Sequence, residues 1–339
     1  MTIRQREVFD ADQEAFRQSL DRFLAAEAVD RYADWDSGGG VPASFYAAAA
    51  KFGFVGLAEV EDPRFRAVVL EGTMAAGLPA IALALAMHDS FAVPLLIGRE
   101  APGMAAVVDR SGIVAEPQRG GWTLRGSAET VVNGLGAEVL VVAARTDEGS
   151  ELLFAVDPTA AGVQRAPADL LFGLGACDLA DVQFDGVAVT AADRVEADLD
   201  RARAGYQVAL AVAAMAGART ALAMTVAYVR ERKAFGTPIA TFGNTRHVLG
   251  ALGARIAAVE SLVDAGLAAE LDGAGAAAIK LCATEILGEA VDTGVQLHGG
   301  YGYMWEYPIA RAYAAARFLR LHGDAGEHLD SVLADAVGL

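Results

Sequence analysis

The sequence has little positive charge, few cysteines and no long apolar run, and each shortage excludes a class of protein. Only 27 of its 339 residues are lysine or arginine against 44 acids, and the net charge of −17 argues against a nucleic-acid binder, which needs a basic surface. The two cysteines, Cys177 and Cys282, lie far apart and indicate reduced thiols in a cytoplasmic protein rather than a disulfide framework. We expect no membrane span, because no run of about 18 apolar residues occurs. No export signal is expected either, because the first residues lack an apolar core followed by a cleavage site.

Residues 1–102 have the hydrophobic spacing of a helical domain. Over residues 11–30, apolar side chains recur every three or four positions, which is typical of an amphipathic helix. Residues 41–57 and 66–100 also predict helices. The second of these is apolar almost all round, and such a helix is normally buried within a bundle.

Residues 103–197 change to short runs of β-branched and aromatic residues separated by turn signals, which predicts an antiparallel β domain. The predicted strands lie within residues 122–134, 137–146, 151–157 and 178–189. The predicted turns are Gly120–Gly121, Asn133–Gly134, Asp147–Gly149 and Asp185–Gly186.

Residues 198–339 return to helical spacing. The predicted helices are 204–231, 241–270, 274–298 and 307–321, with a short terminal helix from Asp324 to Val337. The predicted fold is therefore of the α+β class and mainly α. It comprises an N-terminal helical domain, a middle antiparallel β domain and a C-terminal four-helix bundle.

The stretch RERKAFG, at the end of the first long helix of the third region, places an arginine near a glycine. Arg232 can donate a forked pair of hydrogen bonds to a phosphate, and Gly236 lets the backbone turn. An arginine that only complements the helix dipole is the simpler interpretation of these residues alone, so both stay open.

The stretch QLHGGYGYMWEYP places a glutamine before a cluster of glycines between two helices. Gln296 can both donate and accept a hydrogen bond, and Gly299, Gly300 and Gly302 permit close approach of a cofactor. Taken alone, the cluster is weak, because turns use glycine freely.

Together, the two stretches resemble the signatures of the acyl-CoA dehydrogenase family, and the resemblance covers nearly the whole chain in the order of its three regions. The pattern R-x-x-F-G, followed by I-x-x-F and a histidine, is matched by Arg232, Phe235, Gly236, Ile239, Phe242 and His247. The pattern Q-x-x-G-G-x-G-[YF]-x-x-E-[YH]-P is matched by Gln296, Gly299, Gly300, Gly302, Tyr303, Glu306, Tyr307 and Pro308. The resemblance implies a flavoprotein of lipid metabolism that oxidises acyl-CoA thioesters to enoyl-CoA.

The resemblance also implies FAD at a subunit interface, with both signatures reaching across to the ADP half of the neighbouring subunit's cofactor. By position, Arg232 would bind the pyrophosphate and Phe235 would pack on the cofactor. Gln296, Gly299 and Gly300 would line its adenosine end. The protein would supply positioning and electrostatics, while the flavin accepts the hydride.

The chain departs from the family where a carboxylate base should remove the α-proton. Ungapped counting puts Gly323 at the usual glutamate position, one residue before Asp324, and Tyr206 at the position that a second subgroup uses. The arginine that helps to hold CoA corresponds to Gln207 and a nearby aspartate to Ala204.

The strand motif that contacts the flavin ring in the family, W-[IT]-[TS]-N-G, is also altered. It reads Thr130–Val131–Val132–Asn133–Gly134 here, so both ring-contacting side chains are changed. The acidic-glycine-serine loop expected before this motif is missing.

The chain keeps the residues that would serve a neighbour's FAD and has lost those that a subunit uses for its own flavin ring, CoA and proton abstraction. This pattern of loss resembles the shorter, degenerate subunit of the actinobacterial heteromeric acyl-CoA dehydrogenases of sterol side-chain degradation. We therefore expect a cytoplasmic heterotetramer with a longer subunit, acting on an acyl-CoA substrate. One alternative is a self-sufficient homo-oligomer that uses Asp324 as a displaced base, and another is a flavin-free scaffold.

The interpretation of Asp324 alone also stays open. The simplest one makes Asp324 an N-terminal cap or first-turn acid of the last helix. No metal site is predicted, because His322 and His328 flank it at a spacing with no standard ligand geometry.

Overall fold

Three regions of different secondary structure follow one another along the chain. The computed structural model describes residues 6–96, 98–99, 103–110, 112–169, 173–269 and 271–339. The helical N-terminal region, the central sheet and the helical C-terminal region confirm the predicted fold class.

The N-terminal region consists of six helices joined by short turns. These are α1 (Ala11–Glu27), α2 (Tyr32–Gly38), α3 (Ala43–Lys51), α4 (Arg64–Ala75), α5 (Pro79–Met87) and α6 (Val93–Leu95), with a π-helical turn, His88–Ala92, between the last two. The predicted single helix over 66–100 is wrong. Gly77 adopts a φ of 77° and ends α4, and Pro79 starts a new helix in a first-turn position that suits its missing amide hydrogen.

The central region forms one eight-stranded sheet. Its strands are β1 (Ala105–Val108), β2 (Val114–Gln118), β3 (Gly121–Val132), β4 (Val139–Arg145), β5 (Glu151–Val156), β6 (Val163–Pro167), β7 (Leu179–Thr190) and β8 (Arg194–Val195). The order is β6-β7-β3-β2-β4-β5-β8, and β1 also pairs with β4. Most neighbours are antiparallel, but β4 runs parallel to both β1 and β2, so the prediction of a purely antiparallel domain needs this correction.

The predicted turn at Asp185–Gly186 is a β-bulge inside β7. Leu124 pairs with Val187 and Arg125 with Asp185, so Gly186 is the extra residue between the two pairs. Its φ of 71° is one that glycine adopts without strain. A dipeptide typical of turns therefore bends a continuous strand here.

The C-terminal region consists of five helices and one short hairpin. The helices are α7 (Leu199–Glu231), α8 (Gly243–Leu267), α9 (Gly273–His298), α10 (Pro308–Leu321) and α11 (Gly326–Ala336), and the hairpin strands are β9 (Lys233–Ala234) and β10 (Thr237–Pro238). Among the described residues, α7 alone is long and apolar enough by composition to cross a membrane. However, 61% of its most apolar window is buried inside the protein, as in a core helix.

Two apolar cores hold these regions together. One lies between the N-terminal and C-terminal helices and reaches the sheet. The other consists of buried side chains of the sheet strands themselves. The shared helical core places α5, α7 and the turn before α11 beside β3, and one of the pockets described below lies at this meeting point.

Candidate functional site

Four of the five predicted cofactor residues line one groove. Arg232 follows the end of α7, and Gln296, Gly299 and Gly300 lie at the end of α9. The groove has a volume of about 480 Å³, within the range of roughly 300–1,000 Å³ typical of ligand sites. The two sequence stretches, more than 60 residues apart, therefore meet in space.

The guanidinium of Arg232 is available to an anion. It lies 5.6 Å from the ring centre of Tyr301, and no carboxylate in the described ranges forms an ion pair with it. An exposed arginine held over an aromatic ring presents its donors as a fixed fork, which suits a phosphate.

The glycines next to Arg232 leave the approach to the groove open. Gly299 has a φ of 60°, and a Cβ atom added to either Gly299 or Gly300 would meet no atom within 4 Å. Both therefore expose their backbone to the groove. Two observations therefore fit the diphosphate and adenosine part of FAD. Arg232 has no ion pair within the described ranges, and the backbone at Gly299 and Gly300 is open to the groove.

Phe235 lies apart from the other four residues. It stands at the tip of the β9–β10 hairpin and is 99% exposed. Phe235 and Gly236 have φ values of 52° and 83°, the two positive angles of a type I′ hairpin turn. The apolar ring of Phe235 is therefore exposed to solvent, and its backbone adopts an unfavourable angle in that position.

Sequence reasoning missed the aromatic wall of this groove. Tyr228 lies one turn before Arg232 and stacks on His298, with ring centres 4.0 Å apart. His298 Nδ1 lies 2.7 Å from the carbonyl oxygen of Gly294, and burial lowers the pKa of this imidazole. The four-residue spacing from Tyr228 to Arg232 on one helix was the signal that could have revealed this wall.

A second, smaller pocket lies where β3, α7 and the turn before α11 meet. Its volume is about 190 Å³, and its lining includes Thr130, Tyr206, Gln207, Gly323 and Asp324. We call it the inner pocket. The two alternative base positions derived from the sequence, Tyr206 and Gly323, are in contact there.

Gly323 has no room for a side chain. Its φ is 63°, and a Cβ atom placed on it would lie 2.5 Å from Leu210 Cδ1 and 3.2 Å from Tyr206 Cε1. Separations below about 3.0 Å require the neighbours to move. A glutamate at this position is therefore disfavoured by both the backbone angle and the packing.

Tyr206 occupies the other base position, and its ring fills the space next to Gly323. It is 2% exposed, and its ring stacks on Phe91 with centres 4.9 Å apart. Burial raises the pKa of its hydroxyl well above the usual value, so Tyr206 is a neutral packing residue at neutral pH.

Asp324 does not cap the last helix, so that interpretation is wrong. The cap of α11 is Ala325, which has no side-chain hydrogen bond. Asp324 instead accepts from Gln207 Nε2 at 2.8 Å and pairs with Arg110 Nε at 2.7 Å. Lys280 Nζ donates to its backbone carbonyl at 2.5 Å, and burial lowers the pKa of Lys280 to about 8.

The inner pocket does not fit a flavin ring together with a thioester. Its volume lies below the range of about 300–1,000 Å³ usual for small-molecule sites. Both oxygens of Asp324 already have donors, and the positions of the family base carry a glycine and a buried tyrosine. Among the residues that the structure describes, the buried Tyr206 Oη, Gln207 Oε1 and His322 Nε2 find no hydrogen-bond partner. Within the described residues, no group of three metal-ligating side chains occurs.

Comparisons with known proteins agree with the fold. The acyl-CoA dehydrogenase N-terminal domain matches residues 10–101, and the acyl-CoA dehydrogenase C-terminal domain matches residues 196–337. The chain is 26% identical to the mitochondrial long-chain specific acyl-CoA dehydrogenase of Sus scrofa, over 97% of this chain and 87% of that protein. The chain therefore belongs to the acyl-CoA dehydrogenase family, whose members are FAD-dependent.

Solved structures show the same fold. An acyl-CoA dehydrogenase from Geobacillus kaustophilus superposes with a TM-score of 0.91 at 22% identity, over 99% of this chain and 100% of that one. A glutaryl-CoA dehydrogenase from Mycobacterium smegmatis, solved in complex with FADH2, gives a TM-score of 0.87 at 16% identity, over 98% and 95% of the two chains.

Proposed function

We propose that this chain is the smaller subunit of a heteromeric, FAD-dependent acyl-CoA dehydrogenase. It completes the FAD site of a longer partner subunit and supplies no catalytic base. The observation that carries the proposal is the contrast between the two pockets. The groove at Arg232 is open and has an unpaired cation, whereas the inner pocket is small and Gly323 cannot bear a side chain.

The residues of the groove divide the binding of the cofactor among them. Arg232 would hold the diphosphate, and the backbone at Gly299 and Gly300 would lie along the adenosine end beside Gln296. Phe235 would pack on the cofactor from its hairpin. When bound, FAD accepts the hydride from the β-carbon of the acyl-CoA, and the base that removes the α-proton comes from the partner.

The substrate and the location are proposed from the sequence resemblance. It points to a bulky acyl group derived from a sterol side chain, to a heterotetramer and to the cytoplasm. The family itself establishes only an acyl-CoA thioester.

The first experiment is expression of the chain alone and together with its genomic neighbour. The complex should contain FAD and oxidise acyl-CoA with an electron-accepting dye, while the chain alone should be colourless and inactive. A yellow, active chain without a partner would overturn the proposal. A stable complex without flavin would identify the chain as a scaffold.

A point variant tests the groove within the complex. Arg232→Ala should reduce retained FAD at least tenfold, because a charge-assisted bond to phosphate is lost. The matched control is Arg230→Ala, an exposed arginine two residues earlier that does not line the groove. Equal flavin content in the two variants would contradict the assigned role of Arg232.

A second candidate function is a self-sufficient dehydrogenase, favoured by the carboxylate of Asp324 in the lining of the inner pocket. Asp324→Asn should leave turnover by the complex nearly unchanged under the leading proposal. Under this second candidate it should abolish turnover. Initial rates at saturating acyl-CoA distinguish the two, with FAD content measured in parallel.

A further inference from the structure

A third cavity lies on the face of α7 opposite the inner pocket. Its volume is about 1070 Å³, which is more than five times that of the inner pocket. Residues next to each other in sequence divide between the two. Phe91 and Tyr206 line the inner pocket, and their neighbours Ser90 and Gly205 line the third cavity. We call this third cavity the outer groove.

Most of the residues that line the outer groove are apolar or glycine, and the others are two arginines, one serine and four acids. The floor is α7 from Arg201 to Val212, about 16 Å long at a rise of about 1.5 Å per residue. Small side chains on that face keep it open, and Leu70 of α4 and Leu267 of α8 form the two sides. Such a shape accommodates an extended apolar chain.

Arg66 lines the outer groove and has a guanidinium that could bind an anionic ligand. Its Nη1 donates to the carbonyl oxygens of Leu57 (2.9 Å) and Ala58 (3.2 Å). In the part of the chain that the structure describes, no carboxylate pairs with it. Burial lowers the pKa of this guanidinium, although the charges of Asp89 and Asp62 act in the opposite direction.

The four acids of the groove lining each have a partner other than Arg66. The pairs are Glu196 with Arg194 (3.5 Å), Asp198 with the amide of Arg201 (2.9 Å), Asp200 with Arg203 (2.9 Å) and Asp272 with the amide of Gly275 (2.7 Å). Two of them cap helices α7 and α9. Within the described residues, none of these four carboxylates forms an ion pair with the guanidinium of Arg66, which stays available to a ligand.

We propose that the outer groove binds an amphipathic carboxylic acid of the fatty-acid type. Its apolar chain lies along α7, and its carboxylate pairs with Arg66. A carboxylate matches the planar fork of a guanidinium, and an apolar chain replaces water over the small residues of the floor. The site is separate from both pockets of the flavin function and does not depend on it.

The test is displacement of a dansyl-labelled fatty acid from the purified chain by laurate and by methyl laurate. Laurate should compete at least tenfold better, because only the acid can pair with Arg66. Equal competition, or no binding of the dansyl probe, would overturn the proposal. The readout uses no flavin, so its failure is distinct from failure of the proposed function.

Two variants and one control locate the site. Arg66→Gln should weaken laurate about tenfold and leave methyl laurate unchanged, whereas Val208→Trp should fill the groove and abolish binding of both. Arg64→Gln is the control, since Arg64 pairs with Asp62 and does not line the groove. If Arg66→Gln fails to fold, Val208→Trp and the ester comparison still decide. Unchanged binding by Val208→Trp would refute the location.

Discussion

Gly323 occupies the position at which the family resemblance places a glutamate, and two local properties exclude any side chain there. Its φ of 63° is one that glycine adopts without strain and that most other residues adopt rarely. The ring of Tyr206 and a methyl group of Leu210 occupy the volume that a Cβ atom would take. The neighbouring side chains therefore fill the volume that a base would need. Restoring the carboxylate would require several of these neighbours to change together.

This packing predicts the effect of a single methyl group. Gly323→Ala should lower the free energy of unfolding by about 2 kcal/mol, through overpacking and backbone strain. Gly326→Ala is the matched control, because a Cβ at Gly326 would meet nothing within 4 Å, and it should leave stability unchanged or raise it. Urea denaturation of both variants measures the difference. Equal stability would show that the turn relaxes freely.

The displaced position of Asp324 could be predicted from the sequence, but the partners of its carboxylate could not. The sequence predicted that Asp324 is displaced from the base position, and the structure places it in the inner pocket. Its role as a helix cap was wrong, because Arg110 and Gln207 bind its carboxylate. Those partners lie far from it in sequence, Gln207 by 117 positions, and no local pattern reports such a pair.

At the scale of elements, the hairpin that carries Phe235 combines a strained turn with an exposed aromatic ring. A type I′ turn favours asparagine or glycine at its first central position, yet the chain has phenylalanine there. Strain of this kind persists where function requires the side chain. The proposed contact of Phe235 with a neighbour's cofactor explains both features.

Replacement of Phe235 should have different effects on the stability of the chain and on its retention of FAD. Phe235→Asn should leave the stability of the isolated chain unchanged or raise it by up to about 1 kcal/mol, because asparagine tolerates a positive φ. The same variant should lower FAD retention in the complex several-fold. Phe52→Asn, at another exposed phenylalanine, should leave the FAD content unaltered. Full FAD retention by Phe235→Asn would refute the proposed contact.

Long periodic elements were predicted better than short ones. The four longer helices of the C-terminal region, α7 to α10, and the strands β3, β4, β5 and β7 were found from spacing alone, because each repeats its pattern over several positions. β1 was missed, since its four residues are all buried and show no alternation. β2 was missed because Pro117 interrupts it.

At the scale of the whole molecule, a buried ionic network joins the N-terminal segment to both helical regions. Glu71 of α4 is 3% exposed and pairs with Arg6 (2.6 Å), Arg17 (3.1 Å) and Arg219 (3.3 Å). Arg6 also pairs with Asp264 of α8 at 2.5 Å. Four segments that are distant in sequence thus share one set of charges.

Removal of the central acid should therefore destabilise the whole fold. Glu71→Gln should cost about 3 kcal/mol, because it leaves buried arginines without their partner. Glu14→Gln should cost less than about 0.5 kcal/mol, since that acid is exposed and lies 3.7 Å from Arg17. Denaturant midpoints of the two variants provide the comparison. A cost for Glu71→Gln no larger than that of the control would mean that the network is dispensable.

The same network sets a pH dependence. Burial raises the pKa of Glu71, but the three arginines outweigh burial and the net pKa is lowered. A lowered carboxyl pKa stabilises the fold above the unfolded value of 4.5, and this stability is lost as the pH falls through the folded value. Glu71→Gln should therefore flatten the acid limb of the stability profile below about pH 4.5.

The sequence by itself determined the order of three regions, the family and the two stretches that meet in the open groove. These depend on periodicity and on signatures that lie within a few tens of residues. Only the tertiary structure decided that Gly323 has no room, that Asp324 is bound by Arg110 and Gln207, and that an outer groove lies behind α7. Packing, ion pairs and cavities join residues that are remote in sequence, so they exist only once the core has brought those residues together.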